Sequence, residues 1–182
     1  MLRKMIFIAI LLPVLLQAQI FGTGQTLRKG KTSIGLNPSV YQFEGKDDFY
    51  LYLHCGHGIR RGMDLGVKLG LLGEETYIGA DLEFNLHRTS PFISFSTGAH
   101  SFHDVGLDET LNITIPLGSG LDLYSGFDMD IEFVEPEILT PMWLFLGFEI
   151  SFQRRTDLLF EIEIELNEEA WNIFSGGLNF YL

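Results

Sequence analysis

Phe160–Leu166 reads F-E-I-E-I-E-L, with apolar residues on every even number and a glutamate on every odd one between them. Successive side chains of a strand point to opposite faces, so this heptapeptide is a strand with one oily and one acidic face. Phe127–Phe133, F-D-M-D-I-E-F, repeats the pattern with the apolar residues on odd numbers. Ile78–Leu86 does so again, with Asp81, Glu83 and Asn85 on the polar side, and Leu111–Leu117 sets apolar residues against Asn112, Thr114 and Pro116. Extended outward, the same period covers the chain from Lys31 to its end, and no helical periodicity competes with it.

Short polar turns divide this region into about ten strands, spanning 31–43, 48–59, 63–72, 76–86, 91–102, 107–117, 121–133, 141–152, 158–166 and 170–182. They are longer than the ordinary globular strand of about 5–6 residues, and they match the roughly 9–11 needed to cross a bilayer at a tilt. Side-chain size decides which face is outside. One face carries bulky residues, such as Leu65, Val67, Leu69 and Leu71, or Leu144, Leu146, Phe148, Ile150 and Phe152. The other is rich in glycine and serine, including Gly66, Gly70, Ser94, Ser96, Gly147 and Gly177. A small barrel has little room inside, so the bulky face is predicted to point outward into lipid. The expected fold is therefore an all-β, transmembrane up-and-down antiparallel barrel of about ten strands, with eight or twelve as alternatives.

The N-terminus has a different character. Arg3 and Lys4 precede an apolar run from Met5 to Leu16, and Gln17-Ala18-Gln19 closes it. This is the layout of a secretory signal peptide, too short for a stable helical span, with cleavage expected after Ala18. The chain is thus divided into a signal at 1–18, an N-terminal extension at 19–30 and the barrel at 31–182.

The full chain has 182 residues, 24 acidic and 12 Lys or Arg, a formal charge of −12 and a single cysteine. Nucleic-acid binding is excluded by this acid excess, and one cysteine cannot form an internal disulfide. The charges are segregated. Arg60, Arg61, Arg88, Arg154 and Arg155 lie in one set of turns, with Arg28, Lys29 and Lys31 before the first strand; Glu44, Asp47, Glu74, Glu75, Asp104, Asp108, Glu135, Glu137, Glu168 and Glu169 lie in the other. An even strand count puts alternate turns on opposite sides of the membrane, and the basic set is assigned to the periplasm. Aromatic residues near strand ends, among them Phe49, Tyr50, Tyr77, Phe102, Phe133, Trp143 and Trp171, are expected to contribute to an interfacial girdle.

On these features the region from Lys31 to Leu182 resembles the small outer-membrane β-barrel proteins of Gram-negative-type envelopes. The resemblance implies outer-membrane lipid and the barrel-assembly machinery as partners. The latter reads a last strand with alternating apolar residues, which Phe174, Leu178 and Phe180 match, although the terminal residue is Leu182 where an aromatic is usual. Pro38 is a second departure, since it removes one ladder bond from the first strand and implies a bulge or a frayed start there.

By parity Asp81, Glu83, Asp128, Asp130, Glu132, Glu149, Glu161, Glu163 and Glu165 face a lumen in which Lys68 is the only lysine. A cation-binding or cation-conducting interior is one reading; a hydrated, merely solvated rim is the simpler one, because the acids are spread along several strands. Luminal aromatics, including Tyr41, Tyr52, Tyr124 and Phe145, would narrow any pore. His100, Ser101, His103 and Asp104 supply hydrolase-like residue types at an outer loop but no recognised spacing. His54 and Cys55 fall on opposite faces and fail as joint metal ligands. No catalytic, cofactor-binding or metal set is assigned, no cofactor is expected, and the ligand is unknown. The reading is a non-enzymatic envelope barrel with a narrow or occluded acidic lumen. The alternatives are a narrow cation or small-solute channel, an outer-membrane hydrolase or acyltransferase, and a soluble periplasmic ligand-binding barrel.

Overall fold

The computed structural model describes residues 23–43, 46–102, 104–153 and 155–182. The expected signal peptide at 1–18, together with Glu44, His103 and Arg154, lies outside them. The elements are β1 (Thr32–Phe43), β2 (Lys46–Arg60), β3 (Met63–Leu71), β4 (Tyr77–His87), β5 (Phe92–Phe102) and β6 (Asp104–Gly118). They continue with β7 (Leu121–Val134), β8 (Glu137–Leu139), β9 (Met142–Gln153), β10 (Thr156–Glu165) and β11 (Asn172–Tyr181). Each of the ten long strands corresponds to an expected one. β8 is additional, a three-residue strand that pairs with β7 at Glu132–Val134, beyond the stretch where β7 pairs with β9.

Neighbours in sequence are neighbours in space, and β1 pairs with β11 while β6 pairs with β7, so the sheet closes into a ring of ten antiparallel strands with β8 appended. Closure removes the free edges that a flat sheet of this length would expose. Turn chemistry helps set the tight connections. At the β6–β7 turn Gly118, Ser119 and Gly120 all have positive φ, at 92°, 57° and 77°, a run that bulky side chains would strain.

Accessibility assigns the faces. Leu146 is 54% exposed and its neighbours along the outer face of β9, Leu144 and Phe148, are similarly open. Ile34, Leu53, Val67, Ile162 and Phe174 continue this apolar surface around the ring. The interior is polar: Ser39, Asn37, Ser94, Asn112, Thr114 and Lys68 are fully buried there. This inversion of the usual arrangement is the signature of a barrel whose outer solvent is lipid. The outer faces of β4, β9 and β10 carry no charge, as expected. On β6, however, Glu109 points outward and accepts a hydrogen bond of 2.9 Å from the Thr97 hydroxyl on β5.

Three corrections concern residues near the strand ends. Asp108 was expected in a turn; β6 starts earlier than its pattern indicated, and Asp108 sits inside the barrel at 1% exposure. His100 was expected at an outer loop but lies within β5, buried and facing the lumen, whereas Ser101 faces outward. Tyr50, Tyr77, Phe102 and Trp143 were expected in the interfacial girdle but pack inside, since each shares the parity of a luminal residue on its own strand. Pro38 does not fray β1. It points outward opposite Leu51, and the β1–β11 register passes from Leu36↔Leu178 to Ser39↔Ser175.

Candidate functional site

Large side chains gather inside the lumen in separate clusters. Tyr124, Phe145 and Leu159 form one buried cluster, and Tyr50, Tyr52 and Tyr77 another, flanked by Tyr41 and Phe102. Rings of this size fit because small residues face them: a Cβ at Gly147 would overlap the Tyr124 ring. Tyr41 and Tyr52 share a hydrogen bond of 2.6 Å, and Trp143 Nε1 donates to the Trp171 carbonyl at 2.7 Å, which ties β1, β2, β9 and the end of the β10–β11 connection together.

At the end bearing the basic turns, the chain itself fills the mouth. Gly24 N–H donates to Thr114 Oγ1 at 2.7 Å on β6, and Leu27 N–H donates to Asp64 Oδ2 at 2.6 Å on β3. Gln25 Nε2 reaches Asp122 Oδ2 on β7 at 2.6 Å, Asn85 Nδ2 on β4 donates to the Gly24 carbonyl at 2.9 Å, and Gly30 N–H donates to the Gly58 carbonyl on β2 at 2.7 Å. In a ring of ten strands β2 and β7 stand opposite one another, so residues 24–30 run across the opening. Two of the five bonds end on luminal carboxylates, which are acceptors only and suit a segment presenting N–H groups.

At the end bearing the acidic turns a cavity of about 420 Å³ remains. Its wall interleaves aromatic side chains, Tyr41, Tyr52, Tyr77, Phe102, Trp143 and Trp171, with carboxylates, Asp128, Asp130, Glu132 and Glu163; Trp143 of β9 lies directly beside Asp128 of β7.

All nine acids singled out in the sequence have their strand's inward parity, but they do not form one site. Asp128, Asp130, Glu132 and Glu163 line the cavity. Glu161 is buried one inward position deeper on β10, and Glu165, the last residue of β10, is exposed at the rim. Asp81 and Glu83 lie toward the filled mouth, where Asp64 stands opposite Glu83 across the β3–β4 ladder. Glu149 lies on β9 among the residues of that same end, opposite Asp122. Lys68, with its side chain 0% exposed, makes an ion pair of 3.7 Å with Asp81. Sequence reasoning missed Asp64, Asp108, Asp122 and Asp157, all inward by parity; extending the period-two pattern to the strand ends would have found them.

His100 and Ser101 are on opposite faces, and His103 is outside the described residues. His54 and Cys55 likewise diverge, His54 into the lumen and Cys55 to the exposed outer face.

A closed ten-strand antiparallel barrel with an apolar outside and a polar inside is the architecture of small outer-membrane β-barrels. Known structures agree with it. An outer-membrane channel from Pseudomonas putida F1 is similar with a TM-score of 0.61 at 9% identity, over 91% of this chain and 100% of that one. The NanC porin gives a TM-score of 0.56 at 6% identity over 81% and 98%, and the KdgM porin 0.50 at 8% over 81% and 98%. Identities this low establish the fold alone. No protein-family model and no curated protein matches the sequence.

Proposed function

We propose that the protein is a non-enzymatic outer-membrane barrel with an occluded acidic lumen, exported by a signal peptide cleaved after Ala18 and serving the envelope without an open pore. The observation that carries this reading is the segment 24–30, bonded to β2, β3, β4, β6 and β7 across the basic mouth. The apolar outer surface supports the membrane location, with the acidic turns outside the cell and the basic turns in the periplasm. The separation of His100 from Ser101 supports a role without catalysis.

A narrow cation channel is the second reading, favoured by the luminal acids and by the porins and channels that share the fold. Single-channel recording in planar bilayers distinguishes the two. The mature chain is expected to give no conductance above background, and deletion of residues 19–30 to raise it. Steady, cation-selective conductance from the intact mature chain would sink the occluded reading in favour of the channel.

A further inference from the structure

β5, β6 and β7 bring an imidazole and three carboxylates to one corner of the cavity at the acidic mouth. Asp108 and Asp130 are directly opposite in the β6–β7 ladder, and Gly106 pairs with His100 on one side and Glu132 on the other. The absent side chain at Gly106 leaves a floor on which the His100 ring lies; a Cβ there would overlap it. One donor atom from each of His100, Asp108 and Asp130 falls within 4.8 Å of the other two. His100 Nδ1 is 2.6 Å from Asp108 Oδ1, and its Nε2 is 4.0 Å from Glu132 Oε1.

Independent of this clustering, buried polar atoms at the site lack partners. Asp108, 1% exposed, has an Oδ2 that accepts no hydrogen bond, and Asp130 Oδ1 accepts none either. Tyr77, 6% exposed and stacked on His100 at 5.5 Å, lines the same cavity with a hydroxyl that has no hydrogen-bond partner. A buried carboxylate oxygen without a donor is costly, and so is surplus negative charge away from bulk water. Among the described residues Lys68 is the one lysine facing the lumen, and Asp81 holds it. A cation bound at this corner would take up Asp130 Oδ1 directly and offset the surplus negative charge around Asp108.

We propose that His100, Asp130 and Glu132 bind a divalent transition-metal ion, zinc by preference, with Asp108 positioning the imidazole. A tetrahedral N–metal–O pair with bonds of about 2.0–2.2 Å spans about 3.3–3.5 Å, so the 4.0 Å between Nε2 and the Glu132 oxygen closes by about half an ångström on binding, through rotation of the Glu132 side chain at the cavity wall. Asp108 on Nδ1 is the carboxylate that a metal-bound histidine usually keeps on its other ring nitrogen, fixing the tautomer that leaves Nε2 free to ligate. An imidazole among carboxylates selects zinc-like ions over calcium and magnesium, which prefer oxygen alone. The cavity leaves space for water in the remaining coordination position. The site needs the closed barrel but not its occlusion, so conductance of the lumen does not bear on it.

The test is calorimetric titration of the mature barrel, folded in detergent, with Zn²⁺ alone. One ion per barrel is expected. His100→Gln and Asp130→Asn should each weaken binding by roughly tenfold or more, and Asp108→Asn by roughly 10–100-fold. Glu165→Gln, at the rim, should leave it unchanged. Heat-modifiable gel migration reports folding of each variant, and Glu132→Gln replaces any that fails to fold. To separate positioning by Asp108 from mere structure, Co²⁺ replaces zinc: Asp108→Asn should perturb the visible absorption of the bound cobalt while the barrel stays folded. Absence of zinc binding by the parent chain overturns the proposal. So does binding indifferent to loss of the imidazole, or displacement of zinc by equimolar Ca²⁺, which would mark a general acidic surface.

Discussion

Leu146 offers a direct measure of what lies against the outer face. It sits in the middle of β9, 54% exposed, between Ser125 on β7 and Ile162 on β10 in the ladders. Replacing it with arginine puts a guanidinium at mid-depth of the hydrocarbon, which costs about 2–4 kcal/mol. With about 1.4 kcal/mol per factor of ten, the folding equilibrium should fall by about 30- to 700-fold. Phe152, near the end of the same strand and on the same face, is 61% exposed. There the same substitution should cost only about 0–1 kcal/mol, because the side chain reaches the interface. The assay is denaturant titration of the barrel in lipid vesicles, with folded protein read from its heat-modifiable migration. A water-facing barrel surface would accept arginine at either place without loss. Equal costs at the two positions, or a cost at Leu146 below about 1 kcal/mol, would therefore refute the lipid-facing assignment.

Two further outcomes probe the interior and the opposite side of the ring. Lys68→Met leaves Asp81 buried without its cation and should destabilise the barrel by about 3–5 kcal/mol in the same titration, with Asp81→Asn in the double variant recovering most of the loss; an unaffected midpoint would show that the pair is not structural. Cys55, the single cysteine, is exposed on the outer face of β2 between Ile34 and Val67. In vesicles it should react with an apolar maleimide and resist a charged, membrane-impermeant one, and equal labelling by both would remove that stretch of β2 from the bilayer.

The strands were legible because alternation is a local property that each writes for itself. Phe160–Leu166 needed no partner to declare its two faces, and it became β10 with its acids inside. Boundaries were less legible where inward residues resemble turn residues. The stretch D-V-G-L-D around Gly106 looks like a loop, but a barrel interior accepts glycine and aspartate as readily as a turn does, so β6 extends back to Asp104. Tyr50, Tyr77 and Phe102 were drawn to the girdle by their place near strand ends, although the parity of Tyr52, Gly79 and His100 already placed them within. β8 is too short to show any period. The segment across the basic mouth was beyond reach, because its bonds to the wall join residues between 28 and 97 positions apart. The metal-ligand arrangement depends on the registers of three strands together, which no single pattern encodes.

The mouth-filling segment is continuous with the wall it closes. Gly30 is already bonded to β2, and only Lys31 separates it from β1. A stopper held on so short a tether faces its seat at an effective concentration on the order of millimolar or above. A handful of hydrogen bonds, too weak to retain a free peptide, is then enough to keep it seated. Displacement would be a first-order rearrangement of one chain, with a rate independent of how much protein the membrane holds.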